Sequence, residues 1–320
     1  MALNPHPATD AESSPGGSPE ASPETYSETV PGLEALMDAA WPAAEREESG
    51  GWVLRAASGV TQRANSVWPR DLGGDDPHRQ LAALREARLW YRKRRLPLIF
   101  QIFDGRRLAA LQAVLDDEGF TRQSETLVLV RRSGAVPRAD SSADPRADSS
   151  ADPSAGSGAG AVANSGDWDP AVEISSEPSA EWLELWWSVD GRGGADELAV
   201  ARRILAGCPA LYALVRDDGG APAAVARLAL PGTGPGGPTG PSWGGLYCMA
   251  TRPDARRLGH GGRIIRALLR EGGNRGVTGY WLLVMASNAG ARSLYARAGF
   301  REAGRYLYRQ DRPKRHLTGC

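Results

Sequence analysis

The chain has 320 residues, of which 41% are hydrophobic, enough for two ordinary domains with chain left over. Its 38 Lys plus Arg balance 38 Asp plus Glu, which argues against a dedicated nucleic-acid or membrane-surface protein. No apolar run is long enough to span a bilayer. Three cysteines, odd in number and without metal-ligand spacing, fit a reduced cytoplasmic setting with Cys208 and Cys248 as small core residues and Cys320 as an exposed thiol. The histidines His6, His78, His260 and His316 are too scattered to suggest a metal.

In chain order, residues 1–24 are rich in Pro, Ser, Glu and Gly without a signal-peptide core, and are expected to be disordered. Trp52–Ala57 and Thr61–Val67 read as two strands joined by a turn at Ser58–Gly59. His78–Arg94 has helical spacing, with Leu81, Leu84, Ala87 and Tyr91 following the i, i+3, i+4 rhythm. Leu98–Phe103 reads as a buried strand, Arg107–Glu118 as a helix ended by Gly119, and Glu125–Arg131 as a strand. Residues 133–166 cannot build a core. They contain PRADSSAD twice, from Pro137 to Asp152, and read as a flexible linker.

Beyond it the pattern gives a strand at Val172–Ser175, a Trp-rich helix at Ala180–Val189 and a second helix at Ala195–Ala206. Leu211–Arg216 and Ala223–Leu230 make a hairpin around Asp217–Gly220. A Gly/Pro loop, Pro231–Gly240, leads to a strand at Gly245–Ala250. Then come a helix over Gly261–Glu271, a strand over Tyr280–Ala286, a helix over Ala289–Ala298 and a strand over Arg305–Arg309. Both halves end as strand, helix, Gly-Phe, strand, and Gly119-Phe120 lies 299 − 119 = 180 residues before Gly299-Phe300. A degenerate internal duplication follows.

The chemistry concentrates in Met249-Ala-Thr-Arg-Pro-Asp-Ala-Arg-Arg-Leu-Gly-His-Gly-Gly262. Arg256-x-x-Gly259-x-Gly261 lets consecutive backbone N–H groups face one concavity at a helix N-terminus, where the dipole favours a pyrophosphate and Arg256 or Arg257 adds charge. On its own such a turn is often only a turn. Neither a dinucleotide fingerprint nor a P-loop is present. The second segment is Asn288-Ala-Gly-Ala291-Arg-Ser-Leu-Tyr295-Ala-Arg-Ala-Gly299-Phe300. Asn288 can cap its helix, and Tyr295 shares a helical face with Ala291, where a phenol could protonate a departing thiolate. Taken alone, this segment reads more readily as a half-buried core tyrosine and a simple cap.

Together the two segments resemble the GNAT family of N-acetyltransferases, matching its Q/R-x-x-G-x-G/A and N-x-x-A-x-x-x-Y-x-x-x-G-F elements in order and separation from Trp168 to Gln310. Gly51-Trp-Val-Leu-Arg-Ala and Arg63-Ala-Asn-Ser-Val-Trp-Pro69 look like the first half of tandem members of the family found in actinobacteria. The resemblance implies an α/β (α+β) fold of two GNAT-like domains, each a mixed, mostly antiparallel twisted sheet flanked by helices. Residues 25–132 would form a degenerate N-terminal domain and 167–312 the catalytic one, with splayed central strands, before a tail at 313–320. In the N-terminal half Asp71-Leu-Gly-Gly-Asp-Asp-Pro77 replaces the phosphate loop, and no CoA is expected there.

The resemblance further implies an acyl-CoA-dependent enzyme moving an acetyl group from acetyl-CoA to a primary amine, without a metal. Met249, Ala250 and Thr251 would pair with pantetheine. Arg256, Arg257, Leu258, Gly259, His260, Gly261 and Gly262 would hold the pyrophosphate, with Asn288 beside the cofactor and Tyr295 as general acid. His260 is expected to offer its backbone rather than its ring. The family often places a Glu five residues before the Asn, but here that residue is Leu283 and the strand carries no acid. Asp190, Asp196 and Glu197 are candidate bases, none preferred. Trp182, Trp186 and Trp187 could line an acceptor pocket, although helical spacing favours core packing. Arg63, Asn65 and Ser66 could reach a shared cleft or be satisfied strand polars. The acceptor would be a small-molecule amine or a peptide or protein amine, with neither nucleic acid nor membrane involved. Two rivals stand beside this reading. In one, the fold senses acyl-CoA or an amine without turnover. In the other, compatible with either, the N-terminal half is a scaffold or dimerisation surface.

Overall fold

A computed structural model describes residues 32–70, 76–105, 108–133, 169, 171–232 and 242–312. The expected tails, most of the linker, the Gly/Pro loop at 233–241 and Asp71–Asp75 lie outside the described residues.

The chain enters through helix α1 (Leu33–Ala40), whose Leu33 and Met37 are buried, and a hairpin of β1 (Glu45–Ser49) and β2 (Trp52–Ala56). Gly50 and Gly51 both take positive φ, 58° and 84°, which a two-residue turn of this hand requires. The partner on the other side of β2 is the short β3 (Trp68–Pro69). The strand expected over 61–67 is instead a loop wound around Asn65, whose Oδ1 accepts the N–H groups of Ala57 and Gly59 at 2.8 and 2.9 Å. Local side-chain bonding of this kind competes with a ladder, and here it wins. Helix α2 (Pro77–Lys93) is capped by Asp76, then come β4 (Ile99–Phe103), α3 (Ala109–Asp117) and the long β5 (Thr121–Arg132).

The second half runs β6 (Val172–Ser175), α4 (Ala180–Asp190), α5 (Ala195–Ala206), β7 (Ala210–Arg216), β8 (Pro222–Ala229), β9 (Ser242–Thr251), α6 (His260–Asn274), β10 (Val277–Met285), α7 (Ala289–Arg297) and β11 (Arg301–Gln310). All but one neighbouring pair of the eight-stranded sheet is antiparallel, in the order β4-β11-β5-β10-β9-β8-β7-β6; the β9–β10 pair is parallel. The linker therefore divides the sequence but not the sheet. Strand β5 of the first half lies between β10 and β11 of the second, and β11 lies between β4 and β5 of the first.

This interleaving obeys a pseudo-two-fold axis. In the β5–β11 ladder Thr121 faces Gln310 and Val130 faces Arg301, and 301 − 121 equals 310 − 130, both 180. Trp281 faces Val130 as Ile99 faces Gln310. The repeat read from the two Gly-Phe pairs is thus a repeat in space.

One face of the sheet packs against α6, through Ile264, Ile265, Leu268 and Leu269, and carries Tyr295 and Phe300 in the same core. The other face carries Tyr247, Trp281, Val128, Tyr306 and Tyr308 and is covered by α1, α4 and the first-half loops, including Trp41, Trp182 and Trp186. Arg227, fully buried on that face, donates to the carbonyl oxygens of Ala40 (3.0 Å), Leu205 (3.1 Å) and Cys208 (3.1 Å). It thereby ties the C-terminal ends of α1 and α5, where a helix dipole favours a cation.

Candidate active site

The parallel pair β9–β10 is the feature on which everything else converges. Pairing begins near Val277↔Ser242 and stops at Leu282↔Leu246, although β9 continues to Thr251 and β10 to Met285. The strands part because β9 is bulged. Val225 pairs with Ala250 but Arg227 with Tyr247, so one extra residue is accommodated on β9, and Cys248 is forced to φ 53°. Cys248 is half-buried at the bulge and packed against the core, and Cys208 is fully buried, as expected of small core residues. Gly245 sits at the fork because a Cβ there would lie 2.5 Å from the Trp281 ring. Trp281 in turn donates its indole N–H to the Tyr247 hydroxyl at 3.1 Å. From Tyr247 onward, the edge of β9 that faces β10 has no partner strand among the described residues, and Met249, Ala250 and Thr251 lie along it.

The glycine-rich loop leaves the end of this open edge. Arg256 and Arg257 are exposed, Leu258 is 66% exposed, and Arg257 and Gly259 take positive φ of 68° and 85°. Gly259 is the N-cap of α6, so the free N–H groups of His260, Gly261 and Gly262 form its first turn. A Cβ on Gly261 would come within 3.1 Å of Leu294 on α7, which shows how closely the two helices approach here. Arg263 is bonded to Asp169 through two contacts, fixing the turn to the chain before β6. The His260 ring is buried with neither nitrogen hydrogen-bonded, so its side chain points into the protein rather than to the surface. A cavity of about 470 Å³ runs from Gly262 between α6 and α7, flanked by Arg266, Arg297 and Arg131.

Asn288 caps α7 by accepting the Ala291 N–H at 3.0 Å. One turn on, Tyr295 is 8% exposed, and its phenol is pushed up to about 12, chiefly by burial and then by the negative charge of Asp190. Cys248, at the bulge, is pushed up to about 12 by burial, with Arg227 and Arg63 pulling down and Asp190 pushing up. Asp190 ends α4; burial holds its carboxyl above the ordinary range, against the opposing effects of Trp186 and Arg192. Tyr295 and Cys248 therefore share the field of one acid. Glu197 is otherwise engaged, accepting the Gly194 N–H at 2.7 Å, and Asp196 lies with it in the first turn of α5.

The tryptophans divide. Trp182 and Trp186 are core residues at 1% and 5% exposure, with the Trp182 indole donating to the Ala213 and Ala226 carbonyls, while Trp187 is half-buried. Asn65 and Ser66 are buried and satisfied, Ser66 Oγ accepting from Arg55 at 2.9 Å. Two cleft residues escaped the sequence reading, Trp41 and Tyr247, whose rings stack at 5.5 Å. The signal for Trp41 was available, since Leu33, Leu36, Met37 and Ala40 before it follow helical spacing.

Among known proteins, the family described as "Probable histone acetyltransferase Rv0428c C-terminal" matches residues 29–309. The Bacillus subtilis protein "Uncharacterized N-acetyltransferase YobR" is 25% identical over 283 residues, 88% of this chain and 98% of that protein. "Probable histone acetyltransferase Rv0428c" of Mycobacterium tuberculosis is 28% identical over 247 residues, 77% of this chain and 63% of that longer protein. The fold matches a GCN5-related N-acetyltransferase from Kribbella flavida with a TM-score of 0.58 at 17% identity, over 89% of this chain and 95% of that one. A tandem GNAT protein from the clavulanic acid biosynthesis pathway matches with 0.56 at 13% identity, over 88% of each chain. With the family match spanning nearly all the described residues, and with two interleaved halves, a forked parallel pair and a glycine-rich loop in place, the chain belongs to the GNAT N-acetyltransferase family as a tandem member.

Proposed function

We propose that the protein transfers an acetyl group from acetyl-CoA to a primary amine by direct attack, with Tyr295 as general acid. The observation that carries this reading is the convergence of three features on the fork between β9 and β10: the unpartnered edge of β9, the α6 N-terminus behind Gly259, and the buried Tyr295. When bound, acetyl-CoA supplies the activated thioester. Gly259–Gly262 hold its pyrophosphate through backbone N–H groups, with Arg256 and Arg257 adding charge. The open edge of β9 at Met249–Thr251 offers backbone groups to pantetheine and to the thioester carbonyl.

Tyr295 keeps its proton throughout the working range because its phenol is pushed up to about 12. The protonated phenol is thereby available to give its proton to the departing sulfur. Asp190 is the base this arrangement favours, because its field reaches Tyr295 and Cys248. On the other side of the pseudo-axis Val67 keeps one parallel bridge to Phe100. The recess there, walled by Arg55, Arg63, Trp68 and Gln101, is nearly filled. We accordingly assign cofactor binding to the second half alone.

Calorimetric titration of acetyl-CoA into the intact protein and into a Gly259→Asp, Gly261→Asp variant tests the reading. One site per chain, lost in the variant, supports it; no binding to folded wild-type protein overturns it. The missing acid on β10 favours a second reading, a sensor that binds acetyl-CoA without turnover. Binding with no product across a broad amine panel would select it.

A further inference from the structure

The two halves carry the same groove between two helices, and the chain closes one and leaves the other open. In the first half, Arg88 on α2 donates to the Glu118 carboxylate at the end of α3 and to Asp311 just past β11, both at 2.7 Å. One cation and two acids thus bridge α2, α3 and the end of β11. The pseudo-two-fold axis carries each member of this triad onto a residue of the second half. Asp311 maps to Arg131 (311 − 131 = 180) and Glu118 to Ala298 (298 − 118 = 180), the offset of the β5–β11 ladder. For the longer helices the offset is one more. Arg95 and Gly276 follow their C-caps with positive φ and are 276 − 95 = 181 apart, so Arg88 maps to Leu269 (269 − 88 = 181). Where the first half has two acids and an arginine, the second has an arginine, an alanine and a leucine.

All three of these residues line the cavity of about 470 Å³ between α6 and α7, and no acid lines it. That volume falls within the range of about 300–1,000 Å³ usual for small-molecule sites. Among the described residues, Arg131, Arg266 and Arg297 around it have no carboxylate within ion-pair distance. Asp169, bonded to Arg263, reaches Arg266 only through its field. Arg297 donates one N–H to Ser293 Oγ at 2.7 Å. The Arg131 Nε is buried without a hydrogen-bond partner, and the stem beside it lies 3.6 Å from where a Cβ on Gly299 would stand. Arg266 folds back toward the first turn of α6, its terminal nitrogen 3.4 Å from where a Cβ on Gly262 would be. Ile265, Leu269 and Leu294 add an apolar wall. A buried donor without an acceptor is costly, and the negative charge that the first half carries in its own side chains is here left for a ligand to bring.

Resting on the transferase reading above, we propose that this cavity receives the nucleotide end of the donor, and that Arg131, contributed by the first half, binds the ribose 3′-phosphate together with Arg266. The pyrophosphate seat at Gly259–Gly262 meets the cavity at Gly262. From Gly262 to Leu269 is about 10 Å of helix, room for a nucleoside phosphate beyond that seat. A phosphate monoester brings about −1.5 to −2 charges and three acceptor oxygens, which guanidinium forks match. The apolar wall of Ile265, Leu269 and Leu294 suits the face of a base. The fork of the second half remains the donor site, with one side of it drawn from the first half. The degenerate half thereby sets which donors are admitted, favouring thioesters of intact CoA over those of pantetheine carriers that lack the 3′-phosphate.

The test is calorimetric titration of acetyl-CoA, acetyl-3′-dephospho-CoA and adenosine 3′,5′-bisphosphate into the full chain, as wild type, Arg131→Gln, Arg131→Lys and Ala298→Glu. Wild type is expected to bind acetyl-CoA about tenfold or more tighter than its dephosphorylated form, the usual worth of a charged hydrogen-bonded pair. Arg131→Gln should bring that ratio below about threefold by weakening acetyl-CoA alone, and Arg131→Lys should keep part of it. Ala298→Glu, which gives the second half the acid of the first, should also collapse the ratio. Retained affinity for the dephosphorylated thioester shows that each variant is folded. Equal affinity of wild type for the two thioesters overturns the proposal and leaves the transferase reading intact, as does an Arg131→Gln variant that weakens both equally. If neither thioester binds, yet the bisphosphate does and Arg131→Gln removes it, the transferase reading fails and the anion site stands.

Discussion

At the scale of single residues the reading rests on two titratable groups on opposite sides of the fork. A phenol at about 12 remains protonated far above neutrality. Wild-type kcat is therefore expected to show no alkaline decline between pH 7 and 10, where an ordinary tyrosine acid would begin to fail. Tyr295→Phe should lower kcat by ~10²–10⁴ while acetyl-CoA affinity stays within a factor of about two, since in the proposed mechanism the hydroxyl acts only on the departing sulfur. An unchanged kcat would remove Tyr295 from the mechanism. Asp190 titrates in the other direction. Its carboxyl is raised by burial and acts as a base only when ionised, so activity is lost as pH falls through that raised value. The acid limb of the kcat profile should thus lie above the ordinary carboxylate range of about 4, and Asp190→Asn should abolish the limb together with ~10²-fold or more of the rate. A limb that persists in the variant assigns the base elsewhere. Sequence singled out Tyr295 as a candidate because its helix carries a cap, a phenol and a Gly-Phe at fixed spacing. Asp190 remained one acid of three, since a position at the end of α4 says nothing about which strand the helix end overlooks.

At the scale of elements, the fork is built by a bulge and by glycines whose missing side chains make room for aromatic rings. A Cβ on Gly245 would lie 2.5 Å from Trp281 and 2.6 Å from Tyr247, both buried and neither able to retreat. Gly245→Ala is therefore expected to cost ~1–3 kcal/mol in urea unfolding, the usual range for overpacking. Gly262→Ala is the contrast. Its nearest neighbour is the end of the Arg266 side chain at 3.4 Å, so stability should change by less than about 0.5 kcal/mol. Equal losses in the two variants would mean that the fork is not held by this packing. The strands and helices of the second half were legible because their apolar spacing is regular and their ends carry Gly, Asn or Asp. The bulge was not legible, because Cys248 at positive φ has no sequence signature. Nor was β1, whose Glu-Arg-Glu-Glu-Ser lacks any alternation and is exposed along almost its whole length. The loop around Asn65 misled in the opposite sense, its apolar residues suggesting a strand that side-chain bonding forbids.

At the scale of the whole molecule, the interleaved sheet makes each half the other's framework. Among the described residues strand β5 has β10 and β11 as its neighbours, and β11 has β4 and β5, so each half lacks both partners of one of its own strands when alone. The internal repeat of 180 residues was visible in the sequence, but its pairing was not, because hydrophobic pattern fixes which face of a strand is buried and not which strand lies beside it. Contacts across the sheet add to the interlock: Arg309, fully buried on β11, donates to Asp116 and to the Phe120 carbonyl of the first half. The Arg88 guanidinium likewise bonds Asp311 at 2.7 Å. Fragments 1–140 and 160–320, expressed separately, should each expose a long unpaired strand edge and fail to unfold cooperatively. Mixed from denaturant, they should form a one-to-one complex by size exclusion that recovers acetyl-CoA binding, because together they carry every strand of the shared sheet. Cooperative folding of either fragment alone would show that the interleaving is a docking of finished domains and not a shared core.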